Sequence, residues 1–138
     1  MIFWNSDLAS KISCTPGEMA ALPGYISKIL DIADSLTNAA PGTWLEKAKM
    51  IEDPFLRYGL SLVGEGFAGD TLEEICAILL YVSNERGYGF LAQCVAAEAT
   101  LGIANGDDRD TLLRKLLPYC GIDKALAALA EGVSTHAD

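Results

Sequence analysis

The chain has one histidine, and that absence removes most nucleophilic and metal chemistry at the outset. His136 is the third residue from the C-terminus, in a polar tail where nothing nearby can orient a catalytic base, so a solvated tail residue is expected. Cysteines are few and scattered. Positions 14, 76, 94 and 120 form no CxxC pair and no metal-ligand spacing. Cys76 and Cys94 sit in the apolar stretches EICAILL and LAQCVAA, where a reduced thiol behaves as a small hydrophobe. The start Met1-Ile2-Phe3-Trp4-Asn5 carries neither the basic residues nor the apolar stretch of a secretion signal. Four free thiols in a reducing, cytoplasmic compartment are therefore expected.

Long hydrophobic runs are also missing. Mean hydropathy is +0.24, high enough to require the test. The longest charge-free runs reach only about 11 residues, as over residues 87–97, against roughly 20 for a bilayer span. Glu98 interrupts the best candidate, residues 90–104. No direct membrane span is expected. Basic residues are outnumbered 10 to 19, for a formal charge of −9 and a pI of about 4.4. Such a surface repels phosphate backbones and anionic headgroups, so no nucleic-acid partner is expected.

Strand patterning is scarce, with no clean alternation outside helical periodicity, and there is no internal repeat. What remains is helical grammar punctuated by Gly and Pro. With 138 residues, 51% of them hydrophobic, one core is affordable and disorder is not expected over most of the length. Thr15-Pro16-Gly17-Glu18 reads as a capping box with proline at the first helical position. Pro23-Gly24 then allows a bend or a fresh start. Leu22, Ile26, Ile29, Leu30, Ala33 and Leu36 recur on one helical face, which Pro41-Gly42 ends. Thr43 to Glu46 offers a second capping box, opening a short helix to about Met50. Asp53-Pro54 is the sharpest helix start in the chain.

Phe55, Leu56, Leu60 and Val63 follow on one side, and Gly64, Gly66 and Gly69 form a loop. Asp70 to Glu73 repeats the cap pattern. Leu72, Ile75, Cys76, Leu79 and Val82 make the next apolar face, and Ile78 and Leu80 widen it toward burial on most sides. Gly87-Tyr88-Gly89 turns the chain into an Ala-rich helix, residues 90–104. Asp107 or Asp108 caps a segment over residues 111–118. Asp123 caps the last, with Leu126, Leu129 and Ala130 inside and Gly132 as its stop. The expected fold is all-α, a compact bundle of six or seven short helices with no significant β-sheet. It forms a single domain over residues 1–133 with a flexible tail at 134–138.

Candidate chemistries reduce to structural roles. Asn105, Asp107, Asp108 and Asp110 lack the distal glutamate of a calcium loop, and helix capping explains them. Gly64-Glu65-Gly66-Phe67-Ala68-Gly69 follows a helix, carries no lysine and matches neither GxGxxG nor the P-loop. Serines have no histidine and no glycine elbow. Glu73-Glu74 stands on the first turn of a helix, where it favours the dipole, and Asp31 and Asp34 are read as a wet helix face. No catalytic residue, cofactor site or metal site is expected, and no enzyme. Trp44 and Trp4 could anchor a partner, although satellites of the core explain them more simply. A small-molecule pocket around Gly59, Cys94 and Gly102 is the alternative function, its own alternative being close helix packing at small residues. The surplus of apolar residues is compatible with a homo-oligomer.

The stretch 28–86 carries a resemblance. From Ile29 to Arg86 it reads I-L-D-I-A-D-S-L, P-G-T-W-L-E-K-A, I-E-D-P-F-L-R-Y-G-L-S-L-V-G-E-G-F and T-L-E-E-I-C-A-I-L-L, closing on Glu85-Arg86. It resembles the cytoplasmic loop between the second and third membrane helices of bacterial flagellar stator subunits, the MotA branch of the MotA/TolQ/ExbB proton channels. Glu46 falls on that loop's glutamate, and Glu52-Asp53-Pro54-Phe55-Leu56 on its acid-Asp-Pro-Phe-Leu motif. Gly59-Leu60 and Glu65-Gly66 match later landmarks.

The resemblance implies a non-catalytic module that meets a rotor or energy-transducer protein through charged residues. Glu46 and Lys47 are the contact carried over, and Glu52 and Arg57 are further partner-binding candidates. The pattern departs from the family in places. Asn38 stands where the family has a basic residue eight positions before the glutamate. The membrane helices and the channel proline are missing, and residues 105–132 have no counterpart. The Met1 start and continuous helical grammar favour a soluble relative that lost the channel over an excised domain, and such a relative cannot conduct ions.

Overall fold

A computed structural model describes residues 6–130. Among them the chain is all-α with no strand, in the order α1 (Ser6–Lys11), α2 (Pro16–Met19), α3 (Leu22–Thr37), α4 (Trp44–Ala48), α5 (Pro54–Gly64), α6 (Gly69–Val82), α7 (Tyr88–Ala104), α8 (Arg109–Leu116), a 3₁₀ turn (Leu117–Cys120) and α9 (Ile122–Ala130). The helices expected from the sequence are present, and Ser6–Lys11 and the 3₁₀ turn are additions. Trp4, the stop at Gly132 and the tail with His136 lie outside the described residues.

Helix α7 is the hub. Phe90, Leu91, Cys94, Val95, Ala96, Ala97, Ala99, Thr100, Gly102 and Ile103 are all buried, so apolar surface surrounds it on nearly every side. A helix of that kind belongs inside. Helices α3, α5, α6 and α8 pack around it. Its small residues let them approach closely: a Cβ at Gly59 of α5 would meet Thr100 Oγ1 at 2.8 Å. The apolar face of α3 is buried residue for residue as its spacing predicts.

Several boundaries follow from local chemistry. Thr15 and Glu18 form the reciprocal capping box, with backbone-to-side-chain bonds of 2.8 and 3.1 Å. Asp53 Oδ1 accepts from the amides of Phe55 and Leu56, and Asp108 accepts from Thr111 at 2.8 Å. Helix α5 ends in a Schellman turn: Phe67 N donates to Leu62 O and Gly66 N to Val63 O. That turn needs the left-handed φ of +100° that Gly66 supplies. Pro23 gives a fresh start rather than a bend, because α2 stops at Met19 and Pro23 lies in the first turn of α3.

Other expectations are corrected. Thr43 does not cap α4. It lies in the αR region, and its hydroxyl donates back to Ala40 O at 2.6 Å, closing the Pro41-Gly42 turn. Asp70 and Asp123 are first-turn acids, not caps, since α6 starts at Gly69 and α9 at Ile122. α8 begins at Arg109, two residues earlier than expected. Helix α6 is not buried on most sides: Ile78, Tyr81 and Val82 face outward, Val82 at 68% exposure. It sits at the edge of the bundle against α7, so Leu72, Cys76 and Leu80 are buried while Ile75 and Leu79 are only half-buried. Leu126 and Leu129 of α9 are likewise exposed rather than inside. α9 packs on the 3₁₀ turn, and beside it Ala125 and Ala128 line a gap against α8.

Candidate functional site

The partner-binding candidates gather where the chain leaves α3, makes the short helix α4 and turns into α5. Trp44 is the anchor of α4. Its indole N–H donates to Leu60 O at 2.8 Å, and its ring lies so close to Gly64 that any side chain there would collide with it. Trp44 is thus a satellite of the core. Ala48 is fully buried behind it. With those two positions facing in, Glu46 and Lys47 face out, and both are exposed.

The turn after α4 repeats the division. Ile51 is buried, while Met50 at 80% exposure and Glu52 point to solvent. Arg57 plays a different part from the other three candidates. Its Nη1 donates to Ile51 O at 3.0 Å, so the guanidinium ties the turn to the first turns of α5. Asp53 has two tasks. Besides capping α5, its Oδ2 accepts from the Tyr25 hydroxyl at 2.6 Å, linking α5 to the start of α3. Burial and this carboxylate both push the Tyr25 phenol well above the usual tyrosine range.

Between these walls lies an open groove with a cavity volume of 390 Å³. One wall is the α3 face from Tyr25 through Lys28 and Ile32 to Ser35, and the other runs from Lys47 through Met50 to Glu52. The walls are antiparallel, because the chain turns back after α3 and the Tyr25–Asp53 bond closes one end. Lys47 and Glu52 line the groove, whereas Glu46 and Arg57 do not. Lys28 and Lys47 have no ionic partner among the described residues. Sequence reasoning did not single out Tyr25, Lys28, Ile32 or Met50. Met50 alone carried a local signal, an apolar residue just past a helix end.

No family model, curated protein or solved structure matches the chain.

The other candidate chemistries resolve into structural contacts. Asp108 is a cap, Asp107 pairs with Lys115 at 2.5 Å, and Asp110 pairs with Arg114 at 3.1 Å. Asp31 and Asp34 both reach Arg109, pinning α8 to α3. No group of three or more His, Cys, Asp or Glu among the described residues is placed to hold a metal. Gly59 and Cys94 lie within helix packing rather than on a cavity: Gly59 faces Thr100, and Cys94 is fully buried. Gly102 meets Leu112 on one side and borders a separate groove near Asp70 and Glu98. Gly59 and Cys94 thus serve close packing, whereas Gly102 lines that second groove. All four cysteines are free, and burial pushes Cys76 up to about 11 and Cys94 up to about 12. Among the described residues no helix is long and apolar enough to cross a membrane.

Proposed function

We propose that the chain is a non-catalytic helical interaction domain that binds a rotor or energy-transducer protein in the cytoplasm, in the manner of a MotA-type stator loop. One observation carries the reading. Glu46, Lys47, Met50 and Glu52 project from one rigid corner whose backbone is pinned by Trp44, Ala48 and Ile51. Exposed charges on a fixed frame orient and select a partner even where each pair contributes little affinity. Met50 adds the apolar contact that a purely charged corner would lack. Arg57 supports the corner through Ile51 and contributes its charge at the edge.

The test is retention from native lysate on the immobilised domain, read by mass spectrometry beside Glu46→Lys. A rotor or energy-transducer protein held by the parent and lost from the variant is the expected result. Absence of any such protein from both surfaces overturns the assignment.

The groove favours a second reading, a helical small-molecule sensor, because 390 Å³ is within the range of ligand sites. A thermal-shift screen separates the two, since a ligand bound only by the folded state raises its melting temperature.

A further inference from the structure

The four cysteines fall into two kinds. Cys76 and Cys94 are sealed in the core at 1 and 0% exposure, whereas Cys14 and Cys120 are half-buried. Those two stand near opposite ends of the described chain, yet both line one open groove with a cavity volume of 430 Å³. Pro16, Met19 and Lys124 line it with them. It shares no lining residue with the groove between α3 and the corner.

The fold makes this pair. Lys11 O accepts from Gly87 N at 2.8 Å, which holds the end of α1, and the Cys14 segment that follows it, against the start of α7. Cys120 is the last residue of the 3₁₀ turn, which packs against α3 and α8. Tyr88, the first residue of α7, has both thiols as electrostatic neighbours: burial first, then Cys120 and Cys14, push its phenol up. Neither cysteine lies inside an α-helix, so local adjustment of the backbone at either end can bring the sulfurs to bonding distance, about 2 Å. Their surroundings differ in charge. Burial raises both thiols, but Lys124 opposes the rise at Cys120 while Glu18 adds to it at Cys14.

We propose that Cys14 and Cys120 form a reversible two-thiol site, which closes to a disulfide on meeting a small-molecule disulfide of the glutathione class. The Cys120 thiolate attacks one sulfur of that oxidant, whose S–S bond breaks, and one small thiolate leaves and takes up a proton. The Cys14 thiolate then attacks the Cys120 sulfur of the mixed disulfide and expels the second small thiolate. Two protein thiols give up two electrons and two protons, and the oxidant departs as two thiols. Lys124 favours the first step twice, by steadying the Cys120 thiolate and by attracting the carboxylates of the oxidant. Thiols raised by burial are slow leaving groups, so the bridge outlasts the oxidant and yields to a dithiol reductant. It encloses α2 to α8 in one long loop, a constraint that acts on the unfolded chain. The inference stands on this groove and is independent of the rotor reading.

The test reduces the parent fully, then holds it folded with excess glutathione disulfide at about pH 8, where more of each thiol is ionised. Intact mass and peptide mapping read the product. The parent is expected to lose two hydrogens, retain no glutathione and yield a peptide cross-linked between Cys14 and Cys120. Its urea midpoint is expected to rise, and dithiothreitol to reverse both changes. Cys14→Ser and Cys120→Ser are each expected to gain one glutathione group instead, with an unchanged circular dichroism spectrum. The parent decides the question even where a serine variant is disturbed. A parent that retains one or two glutathione groups overturns the proposal, because its thiols react without meeting. So does a parent left unmodified, a bridge to Cys76 or Cys94, or a bridge between two copies. A bridged form with a lower urea midpoint overturns it too, since the sulfurs would then meet only in a distorted fold.

Discussion

The crossing of α5 on α7 makes a quantitative prediction. Thr100 is fully buried, and its hydroxyl donates to Ala96 O at 2.8 Å. A methyl group at position 59 would lie 2.8 Å from Thr100 Oγ1 and 2.9 Å from Cγ2. Thr100 is β-branched, so rotating one γ atom away brings another in. Gly59→Ala therefore sets two effects against each other. Alanine gains about 1 kcal/mol over glycine in a helix interior, and overpacking a filled contact costs about 1–3 kcal/mol. A net loss of up to about 2 kcal/mol is expected.

Thr100→Ala alone loses about 1 kcal/mol for the buried methyl, partly offset by better helix propensity. In the double variant both γ atoms are gone, and the methyl introduced at position 59 occupies their space. It should be more stable than the sum of the singles by about 1–2 kcal/mol. Urea unfolding followed by helical circular dichroism gives all four free energies. Additivity within about 0.5 kcal/mol refutes the contact. A Gly59→Ala protein more stable than the parent refutes it too.

The same unfolding assay checks other positions. Asp53→Ala loses a cap of about 1–2 kcal/mol together with the Tyr25 bond, whereas Tyr25→Phe loses only the bond, about 1 kcal/mol. Equal losses would contradict the double role of Asp53. Gly66→Ala meets nothing within 4 Å yet must hold φ near +100°, so it should cost about 1–2 kcal/mol from conformation alone; a neutral result would contradict the Schellman turn. A thiol reagent at pH 8 should modify the half-buried Cys14 and Cys120 and spare Cys76 and Cys94 until unfolding. Burial raises the folded thiols of Cys76 and Cys94 from 9.0 to about 11 and about 12. Between those values the unfolded chain binds fewer protons than the folded one. Stability should thus be level below about pH 9 and fall as pH rises toward 11 and 12, and a flat alkaline profile would contradict the burial.

Much of this architecture was legible because local chemistry and long-range packing agree. The α3 face is buried as its spacing predicts, and Asp53-Pro54 starts α5 with the expected cap. The failures share a cause. Periodicity identifies an apolar face but not whether a neighbour covers it, so the outer residues of α6 and the stripe of α9 read as core. Thr43 has the residues of a capping box, yet the preceding Pro41-Gly42 turn claims its hydroxyl. At the candidate site, exposure of Glu46, Lys47 and Glu52 follows from polarity on a short helix and turn. The groove they border does not, because its walls lie some twenty residues apart in sequence and are joined by the Tyr25–Asp53 bond. No local pattern announces that pairing.

The central claim is that the corner at α4 is a protein-binding face. Its most direct test is the affinity of the captured rotor or transducer protein for the parent, for Glu46→Lys and for Glu74→Lys. The last makes the same charge change on exposed α6, away from the corner. About tenfold weaker binding is expected for Glu46→Lys, with Glu74→Lys close to the parent. Equal weakening by both reversals would reduce the effect to net charge and contradict the claim, as would unchanged affinity for Glu46→Lys.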